Sequence, residues 1–277
     1  MTGLVLTAIE AGGPPIDLTG VLPERLAPER LADGGRDTLA GLGLLRGRER
    51  QRLDALFTIQ DGGPSGALIL RPGGAVLDGV GAGMTAGEIL VEGDCGAYAG
   101  SGMRGGTLMI EGTCGAFAGA EMAGGRLRVG GDAGDFLGAP LAGSPRGMTG
   151  GSIVVGGNAG DRVGERMRRG LIAVHGRVGD LCGARMIAGS VVVGGGCGAG
   201  LGLAMRRGTI LLHQLPEAFP EGFDDGGMNE WLFLELMRRD LVQAGAWPVG
   251  FPATGTRARR LIGDRSASGI GEVLILQ

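Results

Sequence analysis

The chain reads as an all-β protein, a single-stranded parallel β-helix of about seven coils, and two observations predict it. The first is a methionine recurring at Met84, Met103, Met122, Met148, Met167, Met186 and Met205. The gaps are 19, 19, 26, 19, 19 and 19 residues, and a glycine always follows three residues later. A fixed period near 20 residues means one small unit stacked on copies of itself. The second is a pair of aliphatic columns. Counted from the glycine that opens each unit, offset 2 holds Ile89, Leu108, Leu127, Ile153, Ile172, Val191 and Ile210. Offset 4 holds Val91, Ile110, Val129, Val155, Val174, Val193 and Leu212. Branched residues alternating at period two form a short strand with one buried face.

The clearest unit runs from Gly87 to Gly106, with further glycines at Gly93, Gly96 and Gly100. The same skeleton returns at Gly106, Gly151, Gly170 and Gly189. The unit from Gly125 carries seven extra residues around Ala139–Gly147, and a looser first copy begins near Gly66. Glycine at this density suits tight corners and penalises helix, so each unit makes one coil of short strands stacked at roughly 4.8 Å. The bias of parallel crossovers predicts a right-handed winding.

Three regions follow: an N-terminal capping segment over 1–65, the glycine-rich repeat over 66–212, and a C-terminal cap with one helix over 213–277. The first opens on a strand at Leu4–Thr7. It passes through two Pro-Glu-Arg-Leu-Ala copies, Pro23–Ala27 and Pro28–Ala32, before Leu56–Ile59. The last predicts an amphipathic helix over Met228–Ala244 and a closing strand at Val273–Leu276. A solenoid needs such ends, because its terminal coils otherwise expose strand edges and core.

The formal net charge is only −3, which speaks against a nucleic-acid partner. Met1–Ile9 lacks the basic start and long apolar stretch of a secretory signal. No apolar run of about 20 residues predicts a membrane span. Four cysteines suit a reducing cytoplasm. Cys95, Cys114 and Cys197 share offset 8 with Ala133, Ala159 and Val178, the pattern of a small apolar slot. No CxxC or histidine pair accompanies them, so no metal is expected on this chain. His175 and His213 share offset 5 two coils apart, a column otherwise of Glu92, Glu111 and glycines, and no triad follows. The Gly130–Asp135 stretch has the look of a calcium-binding nonapeptide but occurs once.

Three features point to binding. Tyr98, Phe117 and Phe136 form an aromatic ladder at offset 11. Offset 3, on the opposite strand face, is often apolar, at Leu90, Met109, Val154, Val192 and Leu211. Such a stripe predicts a cover, either the chain's own termini or another subunit. Leu90, Met109, Val154 and Val192, with Pro140, Leu141 and Pro145 of the long loop, are therefore the expected contacts with other subunits. Arginines gather beside the repeating methionine at Arg104, Arg166, Arg168, Arg169, Arg185, Arg206 and Arg207. They form either a solvated ridge or a site for an acidic partner surface or polyacidic carrier.

These units resemble the glycine-rich-repeat family of formylmethanofuran dehydrogenase, its C-subunit family, whose repeat also forms the C-terminal domain of the glutamate synthase large subunit. The resemblance rests on Gly83-Met84-Thr85-Ala86-Gly87-Glu88-Ile89, on the Gly-x-x-x-Gly-x-x-Met-x-x-Gly skeleton, and on Arg146-Gly147-Met148-Thr149-Gly150-Gly151. It covers residues 66–212, and the overall length favours a free-standing subunit. It implies a β-helical structural component without a catalytic site of its own. The setting most similar is a bacterial formyltransferase/hydrolase complex that moves formyl from tetrahydromethanopterin to a methanofuran analogue and releases formate. The partners implied are an amidohydrolase-like catalytic subunit, a formyltransferase subunit and a further dehydrogenase-like subunit, with any metal held in those partners. The alternative setting is a tungsten or molybdenum formylmethanofuran dehydrogenase. A reading independent of the resemblance is a free-standing β-helical enzyme using His175 and His213.

Overall fold

The computed structural model describes residues 3–22, 35–216, 218–248, 250–253 and 256–276. The two Pro-Glu-Arg-Leu-Ala copies lie outside them. Among the described residues the architecture is all-β and dominated by one 13-stranded sheet. Its N-terminal strands are β1 (Leu4–Ala8), β2 (Ile16–Asp17), β3 (Gly43–Arg46), β4 (Glu49–Arg52) and β5 (Phe57–Asp61). The repeats contribute β6 (Ala67–Arg71), β7 (Leu77–Asp78), β8 (Glu88–Val91), β9 (Arg104–Ile110) and β10 (Ala123–Val129). They continue through β11 (Gly150–Val155), β12 (Leu171–Val174), β13 (Ser190–Val193) and β14 (Thr209–Leu212). The chain closes with β15 (Asp224–Glu230), β16 (Arg257–Gly263) and β17 (Gly271–Leu276).

Strands β6 and β8 through β14 pair in parallel and in sequence order, with equal offsets opposite one another: Ile89↔Leu108, Leu127↔Ile153, Ile172↔Val191 and Val191↔Ile210. A second row of parallel bridges links Cys114, Ala133, Ala159, Val178 and Cys197. The corners are joined too, with Phe117 N–H donating to Asp135 O and Phe136 N–H to Asp161 O, both at 2.8 Å. Nineteen-residue windows therefore lie over one another, and both aliphatic columns point into a single core.

The methionine-glycine spacing has a steric cause. All seven methionines are fully buried. A Cβ on Gly125, Gly151, Gly170, Gly189 or Gly208 would sit 2.8–2.9 Å from the Cε of Met103, Met122, Met148, Met167 or Met186, respectively. The same glycines hold φ between +84° and +102°, which a side chain also disfavours. The methyl of one repeat thus fills the space that the next glycine leaves open.

Acidic residues hold the outer corners. Asp94 Oδ1 accepts from Thr113 N at 2.7 Å, Asp132 from Asn158 at 2.6 Å, and the Asn158 amide oxygen from Arg177 at 2.9 Å. A parallel series runs from Asp135 to Asp161 to Asp180 to Ala199 at 2.7–2.8 Å. The Asp132 and Asp135 of the calcium-like stretch are committed to these ladders.

Both ends of the chain join the same sheet. β1 pairs in parallel with β6 and antiparallel with β5, and β17 pairs in parallel with β14 and antiparallel with β16. A four-stranded sheet, β4-β3-β2-β7, lies at the N-terminal end. The expected C-terminal helix is shorter than Met228–Ala244, spanning Leu232–Gln243. Met228, Asn229 and Glu230 belong instead to β15, opposite Arg259, Ala258 and Arg257. Gly226 and Gly227 disfavour helix there, and Arg259 ties β15 down through Asp225. No helix among the described residues is long and apolar enough to cross a membrane.

Candidate partner-binding surface

The apolar stripe is divided. Val154, Ala173, Val192 and Leu211 are buried in a second core, with Leu234 and Leu241 of the helix and with Ala246 and Phe251 beyond it. Val154 and Val192, expected to touch another subunit, are instead covered by the chain's own C-terminal segment. Each aliphatic side chain so buried is worth about 1.5–3 kcal/mol, enough to hold a marginal 12-residue helix in place. At the other end Leu90 is half-buried, and Met109 is 45% exposed.

The arginines are not one ridge. Glu165, only 5% exposed, binds Arg185 at 3.0 Å and Arg162 at 3.1 Å, with Arg166 at 3.7 Å. One carboxylate offsets only one of these three positive charges, and Arg166 Nε has no hydrogen-bond partner among the described residues. Arg166 and Arg185 also share left-handed φ of 52° and 55°, one residue before the buried methionine. Arg168, Arg169, Arg206 and Arg207 have no carboxylate partner among the described residues, and Arg168 Nε is buried without an acceptor. These four line a depression of about 630 Å³ floored by Ile187 and Ala188. Arg104 stands apart, exposed at the start of β9, three repeats earlier.

Glu165 escaped sequence reasoning although a signal existed. It is the one carboxylate at offset 14, a column otherwise of Ser101, Ala120, Ala139, Ala184 and Leu203, and it precedes Arg166, with Arg185 at the next offset one repeat on.

The long loop frames a second depression. Pro140, Leu141 and Pro145 face Phe117, Phe136, Glu165 and Arg166 around about 420 Å³. Leu141 N–H donates to Glu121 Oε1 at 3.2 Å, pinning the loop. The aromatic ladder below it is a true stack, with centroids 5.3 and 4.6 Å apart and interplanar angles of 10° and 4°. All three rings sit on backbone at φ 62–63°, a left-handed conformation costing about 1–2 kcal/mol per residue. Arg162 continues the column, 5.6 Å over the Phe136 ring. A third depression, of about 370 Å³, shares Pro145 and Arg166 with the loop cleft and Ile187 and Arg206 with the arginine cleft. The three make one groove, apolar and aromatic at one end and cationic at the other.

The remaining titratable groups gather at no such place. All four cysteines are free and buried, and burial pushes the Cys114 and Cys197 thiols up to about 12. His175 Nε2 and His213 Nδ1 are buried without a partner, and His213 leans on Phe251. Burial, and then Arg128, lower the His175 pKa. Among the described residues, no group of three His, Cys, Asp or Glu could hold a metal ion.

No protein-family model and no curated protein matches the chain. Among solved structures it is similar to a chain of the X-ray crystal structure of the formyltransferase/hydrolase complex (FhcABCD) from Methylorubrum extorquens in complex with methylofuran. The match has a TM-score of 0.82 and 32% identity, and it covers 98% of either chain. The in-register parallel strands and their recurring buried columns define a repeat protein. The chain belongs to the C-subunit family of formylmethanofuran dehydrogenase, and its similarity to that structure is to a subunit of the formyltransferase/hydrolase complex.

Proposed function

We propose that this chain is a non-catalytic scaffold subunit of a formyltransferase/hydrolase complex in tetrahydromethanopterin- and methanofuran-linked one-carbon metabolism. The observation that carries the reading is the end-to-end match, 98% of both chains, to a chain of such a complex. Partner subunits would transfer formyl to the methanofuran analogue and release formate. The chain itself would wind as a right-handed parallel β-helix over 66–212, its two ends, 1–65 and 213–277, serving as caps. The in-register parallel strands, the second row of bridges and the hydrogen-bonded corners support the winding.

The mechanism is geometric. A rigid stack holds catalytic subunits at a fixed separation, so a tethered carrier keeps a high effective concentration at both sites. Contacts with other subunits would fall on Leu90 and Met109 of the uncovered stripe, and on Pro140, Leu141 and Pro145 of the loop. Arg168, Arg169, Arg206 and Arg207 would receive an acidic partner surface or a polyacidic carrier, because four unpaired guanidiniums repel one another until anions reach them.

Affinity purification of the native chain, followed by mass spectrometry and metal analysis, tests this. Formyltransferase and amidohydrolase-like partners are expected. Stoichiometric tungsten or molybdenum would point to a dehydrogenase instead, and formyl-transfer turnover by the isolated chain would refute the scaffold role.

A further inference from the structure

The groove carries more information than its charge. Its unpaired arginines come in two pairs, Arg168–Arg169 and Arg206–Arg207, which occupy the same two offsets of repeats two apart. The repeat between them presents Ile187 and Ala188 at those offsets, so charge alternates with an apolar step. Two repeats span about 9.6 Å at the strand spacing. A polyproline II segment rises about 3.1 Å per residue with three residues per turn, so its residues i and i+3 project from one side about 9.3 Å apart. An extended β-strand does not match, because i and i+3 there point to opposite faces. At its other end the same groove is lined by Pro140, Leu141 and Pro145 with Phe117 and Phe136. Between the two ends Glu165 offsets part of the charge of the arginines it meets, whereas the four arginines at the far end face no carboxylate among the described residues.

We infer that this groove binds an extended acidic segment of a partner subunit in polyproline II conformation. Its acidic residues, three positions apart, lie on the two arginine pairs, and an apolar residue at one end sits under the loop. The inference rests on the reading of the four arginines as an anion site, and it adds the class of partner and its register. Charge complementarity selects the partner.

Fluorescence anisotropy on the full chain tests this with synthetic proline-rich peptides in both chain directions. One peptide carries a leucine followed by glutamates three apart, a second has the same composition with adjacent glutamates, and a third is oligoglutamate without leucine. The spaced peptide should bind about tenfold more tightly than either control. It should lose about tenfold on Arg206→Ser with Arg207→Ser, and about fivefold on Leu141→Ser, a tenfold change being about 1.4 kcal/mol. Arg206→Lys with Arg207→Lys should recover part of the loss. Equal binding of all three peptides, lost in the serine variant, would leave the anion site standing and overturn the register and apolar anchor. Binding unaffected by the serine variant, or no binding by the wild-type chain, would overturn the anion site as well.

Discussion

The two halves of the offset-3 stripe share a register and differ in fate. Around Met109 the sheet face is exposed, whereas Val154, Ala173, Val192 and Leu211 lie under the chain's own helix. Their strands are built alike, so the difference does not arise in the repeat. It arises because β17 pairs with β14, at one end of the parallel run, and brings the segment before it back across the nearest repeats. One face of a uniform sheet is thus given a closed stretch and an open one by where its last strand attaches.

A charge on the stripe should separate the halves most sharply. Val192→Asp, at a fully buried position, should cost more than about 3 kcal/mol, while Met109→Asp should stay within about 0.5 kcal/mol. Urea denaturation of both variants reads the contrast, and equal effects would mean that the helix covers nothing. Leu241→Ala acts on the cover rather than the sheet and should cost about 2–4 kcal/mol, with faster proteolysis within 232–243 than in the repeats.

Backbone substitutions should sharpen the same contrast with smaller effects. Gly189→Ala places a Cβ 2.9 Å from Met167 Cε at φ +99°, and should cost about 2 kcal/mol by thermal denaturation. Gly83→Ala, at φ +73° with open space around it, should cost only about 1 kcal/mol of backbone strain.

The smallest effect is a pH dependence confined to the covered end. His175 has a lowered pKa in the folded chain because burial, aided by Arg128, disfavours its charged form. The unfolded chain therefore binds the proton more readily. The stabilising contribution is present above the unfolded value, about 6.5, and is lost as pH falls through the folded one. Melting temperature should decline as pH falls from about 6.5 through that window, and His175→Asn should flatten the decline.

Much of this was legible from spacing alone. The columns at offsets 2 and 4 appear as facing pairs, and the slot shared by Cys95, Cys114 and Cys197 is core. Other features depend on partners that periodicity does not name. The corner aspartates accept from a backbone N–H one repeat away, which only stacking brings within reach. Glu165 divides the arginines by meeting Arg185, 20 residues further on. The helix begins four residues later than its amphipathic pattern suggests, because Met228–Glu230 find a strand partner in Arg257–Arg259.

The amino-acid order by itself determined the repeat, its buried columns and the glycine beside every methionine, because each depends on contacts that recur at one fixed separation. The tertiary structure alone decided which stretch of stripe is covered, which guanidiniums keep their charge unpaired, and how three depressions merge into one groove. Those outcomes depend on single long-range contacts that occur once, and a contact made once leaves no period in the chain.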